Sequence, residues 1–164
     1  MLVLIAGLPG SGKTTVAAAF SKQYAAVHFN SDQVRRELGL RGRYGPGEKE
    51  RVYMELLKRT GDALADGKTV VVDSTFFKAE LRKAFSKLAE DRGVGAKWVL
   101  ATAPNAILRQ RVALPRADSE AGETVLEKIR AQFEPMEPPF LTIDTASAPP
   151  EALADEIHAY LQNG

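Results

Sequence analysis

The 164-residue chain contains no cysteine. That absence removes disulfides, thiolate catalysis and cysteine-ligated zinc, and it fits a cytoplasmic setting. Nowhere does an apolar run approach the roughly 20 residues that a membrane-spanning helix needs, so no membrane partner is expected. The apolar residues 1–6 carry no positive flank or cleavage signal, and they read as a first strand rather than a leader. An excess of charge of either sign is also missing. The net charge of +1 at pH 7 neither demands nor excludes a nucleic-acid partner. Hydrophobic content of 45% and charged content of 26% are ordinary for a globular chain. The length suits one domain, residues 1–164, with a sizeable core.

What is present is concentrated near the start. Leu2-Val3-Leu4-Ile5-Ala6 is followed by Gly7-Leu8-Pro9-Gly10-Ser11-Gly12-Lys13-Thr14-Thr15. Gly7, Gly12, Lys13 and Thr14 match the pattern of a glycine, four residues, then Gly-Lys-Ser/Thr. The four fixed positions arise by chance in about one chain in a hundred of this length. The context of strand, loop and helix sharpens the signal. Glycines let the backbone curl with its N–H groups pointing inward around a phosphate. Pro9, Gly10, Ser11 and Thr15 complete the cradle. Lys13 would reach the terminal phosphates, and the Thr14 hydroxyl would ligate Mg²⁺. The start of the following helix adds attraction for the anion.

Strand and helix patterns alternate through the rest of the chain. After a helix over about 13–24, strands are expected at 26–29, 69–72, 97–101 and 140–143. Helices are expected at 32–38, along the Tyr53–Leu64 stretch, around 81–88, and at 105–113, 125–133 and 150 onward. The expected fold is α/β: a five-stranded parallel sheet with helices on both faces and a helical or loop lid over about 105–135. Ligands of such sheets bind beyond the carboxyl ends of the strands. Asn30-Ser31-Asp32, Asp73-Ser74-Thr75 and the arginines Arg109, Arg111 and Arg116 are all expected at that edge.

Asp32 is the candidate general base, able to orient an acceptor hydroxyl and take its proton. The alternative is a first-turn acid stabilised by the helix dipole. Arg35, one turn later, either holds a substrate phosphate or carboxylate or pairs with Asp32. Asp73 ends a run of valines and would support Mg²⁺, hold Arg35, or serve structure alone. Thr75 faces the substrate or, like Ser74, caps the following helix. The three arginines either close over the donor phosphates or form a solvated basic face. Tyr44 in the glycine-rich loop 39–47 is a candidate acceptor contact. His28, Phe29 and Trp98 read as core, and His158 as peripheral.

Three segments together resemble the small P-loop kinases related to polynucleotide 5′-kinase and zeta toxin. They are the Gly7–Thr15 loop, Asn30-Ser31-Asp32-Gln33-Val34-Arg35 and Val71-Val72-Asp73-Ser74-Thr75, with an arginine-bearing segment ending near Phe133-Glu134-Pro135. Stand-alone bacterial predicted kinases of the AAA ATP-binding group share this pattern. The resemblance implies a P-loop NTPase fold and transfer of the γ-phosphate of ATP, or GTP, with Mg²⁺. Asp32 would be the base, Arg35 would bind an acceptor phosphate, and Arg116 would contact the donor. It points first to a nucleic-acid 5′-hydroxyl as acceptor, next to a sugar, antibiotic or metabolite alcohol. A nucleotide-binding switch or ATPase without an acceptor is the rival from another class.

Overall fold

The computed structural model describes residues 1–114 and 122–163. The elements follow in the order β1 (Leu2–Ala6), α1 (Lys13–Tyr24), β2 (Val27–Asn30), α2 (Ser31–Glu37), α3 (Pro46–Ala65) and β3 (Val70–Asp73). Next come α4 (Ala79–Asp91), β4 (Ala96–Thr102), α5 (Asn105–Ala113), α6 (Glu123–Gln132), β5 (Phe140–Asp144) and α7 (Pro150–Gln162). The loop expected over 39–47 is shorter than its glycines suggest, because Pro46 opens α3. Its missing N–H is harmless in a first turn, and its ring pre-sets the helical φ.

All five strands pair in parallel, in the order β2-β3-β1-β4-β5. β1 and β3 are apolar runs rather than alternating ones because both of their faces are covered. Successive side chains of β1 serve two separate cores. Leu2, Leu4 and Ala6 pack with Val52, Leu56, Phe76 and Phe85 from the α3–α4 side. Val3 and Ile5 pack with Val16, Phe20, Leu153 and Ile157 of α1 and α7. The period-2 pleat thus divides one strand between two layers of helix.

This layering creates the functional edge. β1 hands the chain to α1 on one face, while its neighbour β3 hands it to α4 on the other. The loops leaving these two adjacent strands diverge and leave a crevice between them, the switch point at which such sheets bind ligands.

Leaving β3, the chain turns through Phe76, whose φ of +46° lies in the left-handed region. Its ring is fully buried, with Phe85 and Trp98 edge-on at 5.1 Å each. Its carbonyl accepts a bond from Arg82 at 2.8 Å. Packing on this scale outweighs a local backbone cost of about 1–3 kcal/mol. Phe85→Ala should therefore lower the unfolding free energy by about 3–5 kcal/mol, which urea denaturation followed by far-UV circular dichroism would measure.

Candidate active site

The loop after β1 curls through Gly10 and Gly12, with φ of +82° and +80°. A Cβ on Gly12 would lie 2.8 Å from Thr145 Oγ1, and one on Gly7 would lie 2.6 Å from the Ala101 carbonyl. The motif's glycines are therefore required by close approach as well as by backbone angle. Thr145, just past β5, clasps the loop from outside. Its hydroxyl lies 2.7 Å from the Ser11 carbonyl and receives a 2.7 Å bond from Arg111 Nη1. Arg111 also donates to the Gly10 carbonyl at 3.1 Å and the Thr145 carbonyl at 3.2 Å. Lys13 Nζ reaches back to the Leu8 carbonyl at 3.3 Å.

Behind the loop sits Asp73, with no exposed surface. Strand register sets it opposite Asn30 on β2 and Ile5 on β1. Oδ1 accepts from Thr14 Oγ1 and from Asn30 Nδ2, both at 2.7 Å, and Oδ2 lies 2.6 Å from His28 Nε2. Asn30 also caps α2, its Oδ1 accepting from the Gln33 N–H at 3.0 Å. Of the three readings of Asp73, the contacts join it to Thr14 rather than to Arg35, whose Nη1 donates to the Arg43 carbonyl at 2.6 Å. His28, read from sequence as a core residue, is 20% exposed and fastens Asp73. An alternating strand pattern does not reveal such a partner, because only the β2–β3 pairing brings the two side chains together.

Asp32 lies half-buried in the first turn of α2. No donor among the described residues pairs with its carboxylate. Burial is the largest influence on it and pushes its pKa above the ordinary value. Lys13 pulls the other way, Asp73 pushes further up, and Arg35 and Arg36 pull down. The balance leaves a carboxylate more basic than usual at the mouth of the crevice. Beside it, the Tyr53 hydroxyl lies 2.8 Å from Ser74 Oγ, and burial first, with Asp32 adding, raises the phenol's pKa. Thr75 is half-buried next to them, and its carbonyl receives the Gly7 N–H at 3.4 Å.

The arginines after β4 divide their work. Arg111 braces the glycine loop, whereas Arg109 pairs with Glu123 and Glu127 of α6, each at 3.3 Å. Arg116 lies outside the described residues. Tyr44 is exposed and covers the Arg35 guanidinium, 4.4 Å from its ring centre. A cavity of 450 Å³ lies on the outer side of the loop, bordered by Gly10, Gly12, Thr15, Arg111, Thr145 and Leu153. Thr14 and Asp73 present two hard oxygen donors at the loop's inner side, a set that fits Mg²⁺ completed by phosphate and water oxygens.

A parallel sheet in this order, with a Gly-rich Lys-Thr loop wrapped over the switch point, is a P-loop NTPase fold. Within that class the chain belongs to the AAA domain family, whose profile matches residues 2–136. Uncharacterized proteins of Mycobacterium tuberculosis and Mycobacterium bovis are 30% identical to it over 102 residues, 55% of this chain and 20% of theirs. The match thus spans about a fifth of the length of these curated relatives. Among solved structures, the APS kinase of Mycobacterium tuberculosis, in complex with AMPPNP and APS, is similar with a TM-score of 0.75 and 20% identity. That match covers 99% of this chain and 97% of the other. A sugar kinase from Janibacter has a TM-score of 0.75 at 18% identity over 98% and 94% of the two chains. A gluconokinase from Sinorhizobium meliloti has a TM-score of 0.65 at 18% identity over 99% and 97%. These likenesses establish a shared fold. Among the described residues, no helix is long and apolar enough to cross a membrane.

Gly12→Ala combines a left-handed backbone cost of about 1–2 kcal/mol with a Cβ set against the Thr145 hydroxyl. The variant should fold less stably and lose binding of a fluorescent ATP analogue at concentrations that saturate the natural chain.

Proposed function

We propose that the chain is an ATP-Mg²⁺-dependent phosphotransferase acting on an acceptor hydroxyl. The observation that carries this reading is Asp32: a half-buried carboxylate with a raised pKa and no donor among the described residues, on the helix after β2, with β3 between that strand and the one that leads into the phosphate loop. A nucleotide switch has no use for a base at that position. The kinase names among the structural neighbours agree with the reading.

The donor triphosphate lies in the glycine loop with Lys13 along its terminal phosphates, and its nucleoside occupies the cavity beside Thr145 and Arg111. Thr14 and Asp73 would hold Mg²⁺, which would supply charge neutralisation to the phosphates. Asp32 accepts the proton of the acceptor hydroxyl as its oxygen attacks the γ-phosphorus. The new O–P bond forms as the β–γ bridging bond breaks, and the nucleoside diphosphate departs with the bonding pair. Lys13 and the loop N–H groups, already oriented, hold the charge on the transferred group. The acceptor is an alcohol on a small molecule. A polynucleotide 5′-hydroxyl is the second reading, favoured by the buried Arg35 beside Asp32.

Asp32→Asn should reduce transfer of label from γ-labelled ATP by about 10²-fold or more while leaving nucleotide affinity within a few-fold. The test panel holds sugars, sugar acids and a 5′-hydroxyl oligonucleotide, and release of phosphate to water alone in every case would refute the kinase reading. The folded pKa of Asp32 lies above its unfolded value, so ionising it costs stability as pH rises through that interval. At neutral pH the Asn variant should therefore melt at a higher temperature than the natural chain. In the natural chain, kcat/KM should fall on the acid side at a pH above about 4, the ordinary carboxylate range.

A further inference from the structure

One buried amide joins the two halves of the crevice. β2 ends at Asn30 and α2 begins at Ser31, so no linker separates the strand from the helix. Asn30 keeps an extended backbone, with φ of −128° and ψ of 134°, and is 6% exposed. On one side its Oδ1 accepts from the Gln33 N–H at 3.0 Å, closing the first turn that carries Asp32. On the other its Nδ2 donates to Asp73 Oδ1 at 2.7 Å and to Thr14 Oγ1 at 3.2 Å. Thr14 and Asp73, themselves 2.7 Å apart, present the oxygens that would hold Mg²⁺.

Capping alone does not require this residue. Serine and aspartate cap helices about as well as asparagine, each through one acceptor oxygen. An aspartate here would set a second carboxylate against Asp73, which has no exposed surface. A serine has one hydroxyl hydrogen, which cannot serve Asp73 and Thr14 together. A planar amide presents an acceptor in one direction and a donor edge in another. Turned over, it would face its oxygen to the Asp73 carboxylate and its nitrogen to the Gln33 N–H, so the network permits one orientation. Strand register adds the last constraint. Asn30 stands opposite Asp73 across β2 and β3, and the helix follows at once. A shift at Thr14 or Asp73 is thereby passed through a rigid group to the first turn of α2.

We infer that Asn30 is a positioning residue that couples the Thr14–Asp73 pair to the helix bearing Asp32. Loading the phosphate loop with nucleotide and Mg²⁺ then sets the acceptor base, so the site is completed from the donor side first. This inference rests on the reading of Asp32 as the acceptor base, but its first test does not require catalysis.

Amide hydrogen exchange on the full chain, followed by NMR at saturating AMPPNP in Mg²⁺ or in EDTA, reads the coupling at Gln33. In the natural chain its N–H should exchange about 5-fold or more slowly with Mg²⁺ than with EDTA. Asn30→Ser keeps a capping oxygen and removes the amide donor. Gln33 should stay protected in this variant while the slowing by Mg²⁺ disappears. Calorimetry on the same variant should show the gain in AMPPNP affinity on adding Mg²⁺ reduced by about 10-fold, with affinity in EDTA within a few-fold of natural. An asparagine that only caps the helix predicts neither change, since serine replaces it in that role. Equal exchange of Gln33 in Mg²⁺ and EDTA in the natural chain overturns the coupling, whether or not the variant folds. A full Mg²⁺ gain in folded Asn30→Ser overturns it as well. A transfer assay separates this claim from the kinase reading. Slowing of Gln33 by Mg²⁺ that depends on Asn30, without transfer to any acceptor, retains the coupling and eliminates the kinase. Transfer that Asp32→Asn abolishes, with Gln33 indifferent to Mg²⁺, does the reverse.

Discussion

A carboxylate with no exposed surface, Asp73, sets the terms for everything around it. A buried charge costs several kcal/mol unless it is paired and hydrogen-bonded, so its neighbours must come close and stay there. They come from two elements: His28 and Asn30 on β2, and Thr14 at the start of α1. Satisfying Asp73 therefore requires β2 beside β3 in one register, with Asn30 opposite it. It also requires the glycine loop to close tightly enough to bring Thr14 within 2.7 Å. A one-residue slip of β3 would turn the carboxylate to the other face and strand it. One charge thus ties the sheet's pairing to the loop's shape.

The crevice that results is electrostatically divided. Lys13 and Asp73 act on Asp32 with opposite signs, while Arg35 and Arg36 of its own helix act with Lys13. A negatively charged donor and a proton-abstracting base can coexist only if the base is kept from both full solvation and full neutralisation. Half-burial does this for Asp32. The opposite solution applies to Arg111, whose bonds to Gly10 and Thr145 are spent on holding the loop ready rather than on meeting solvent. Groups oriented before a ligand arrives need no reorganisation when charge develops. The far end of α6 is secured similarly, since Glu134 accepts from the Ala79 N–H at 2.6 Å and buried Arg82 holds the Glu134 and Pro135 carbonyls.

Much of this architecture was legible before any fold was known. The five strands and the helices between them follow from apolar runs and helical spacing, with boundaries shifted by a few residues at most elements and by more at the start of α3. Pro46 shows why boundaries slip: a residue that breaks helices also begins them. Gly7 through Thr15 were readable from their spacing. His28 was not, because its meaning depends on what lies across the sheet. Arg109 and Arg111 share one short helix and one chemistry in the sequence, yet one turns to α6 and the other to the glycine loop.

The chain's order of residues alone determined which chemistry is available: a phosphate loop, an aspartate beginning the helix after β2, another ending a valine strand. These are local facts, set by steric and hydrogen-bonding rules that act over a few residues. Which charges neutralise one another, and which are left to face a substrate, was decided only in three dimensions. Asp73 is spoken for by residues 45 and 59 positions away, whereas the Asp32 carboxylate finds no donor among the described residues. The reason is that Coulomb energy depends on distance and dielectric, and both are properties of the packed sheet and helices rather than of spacing along the chain.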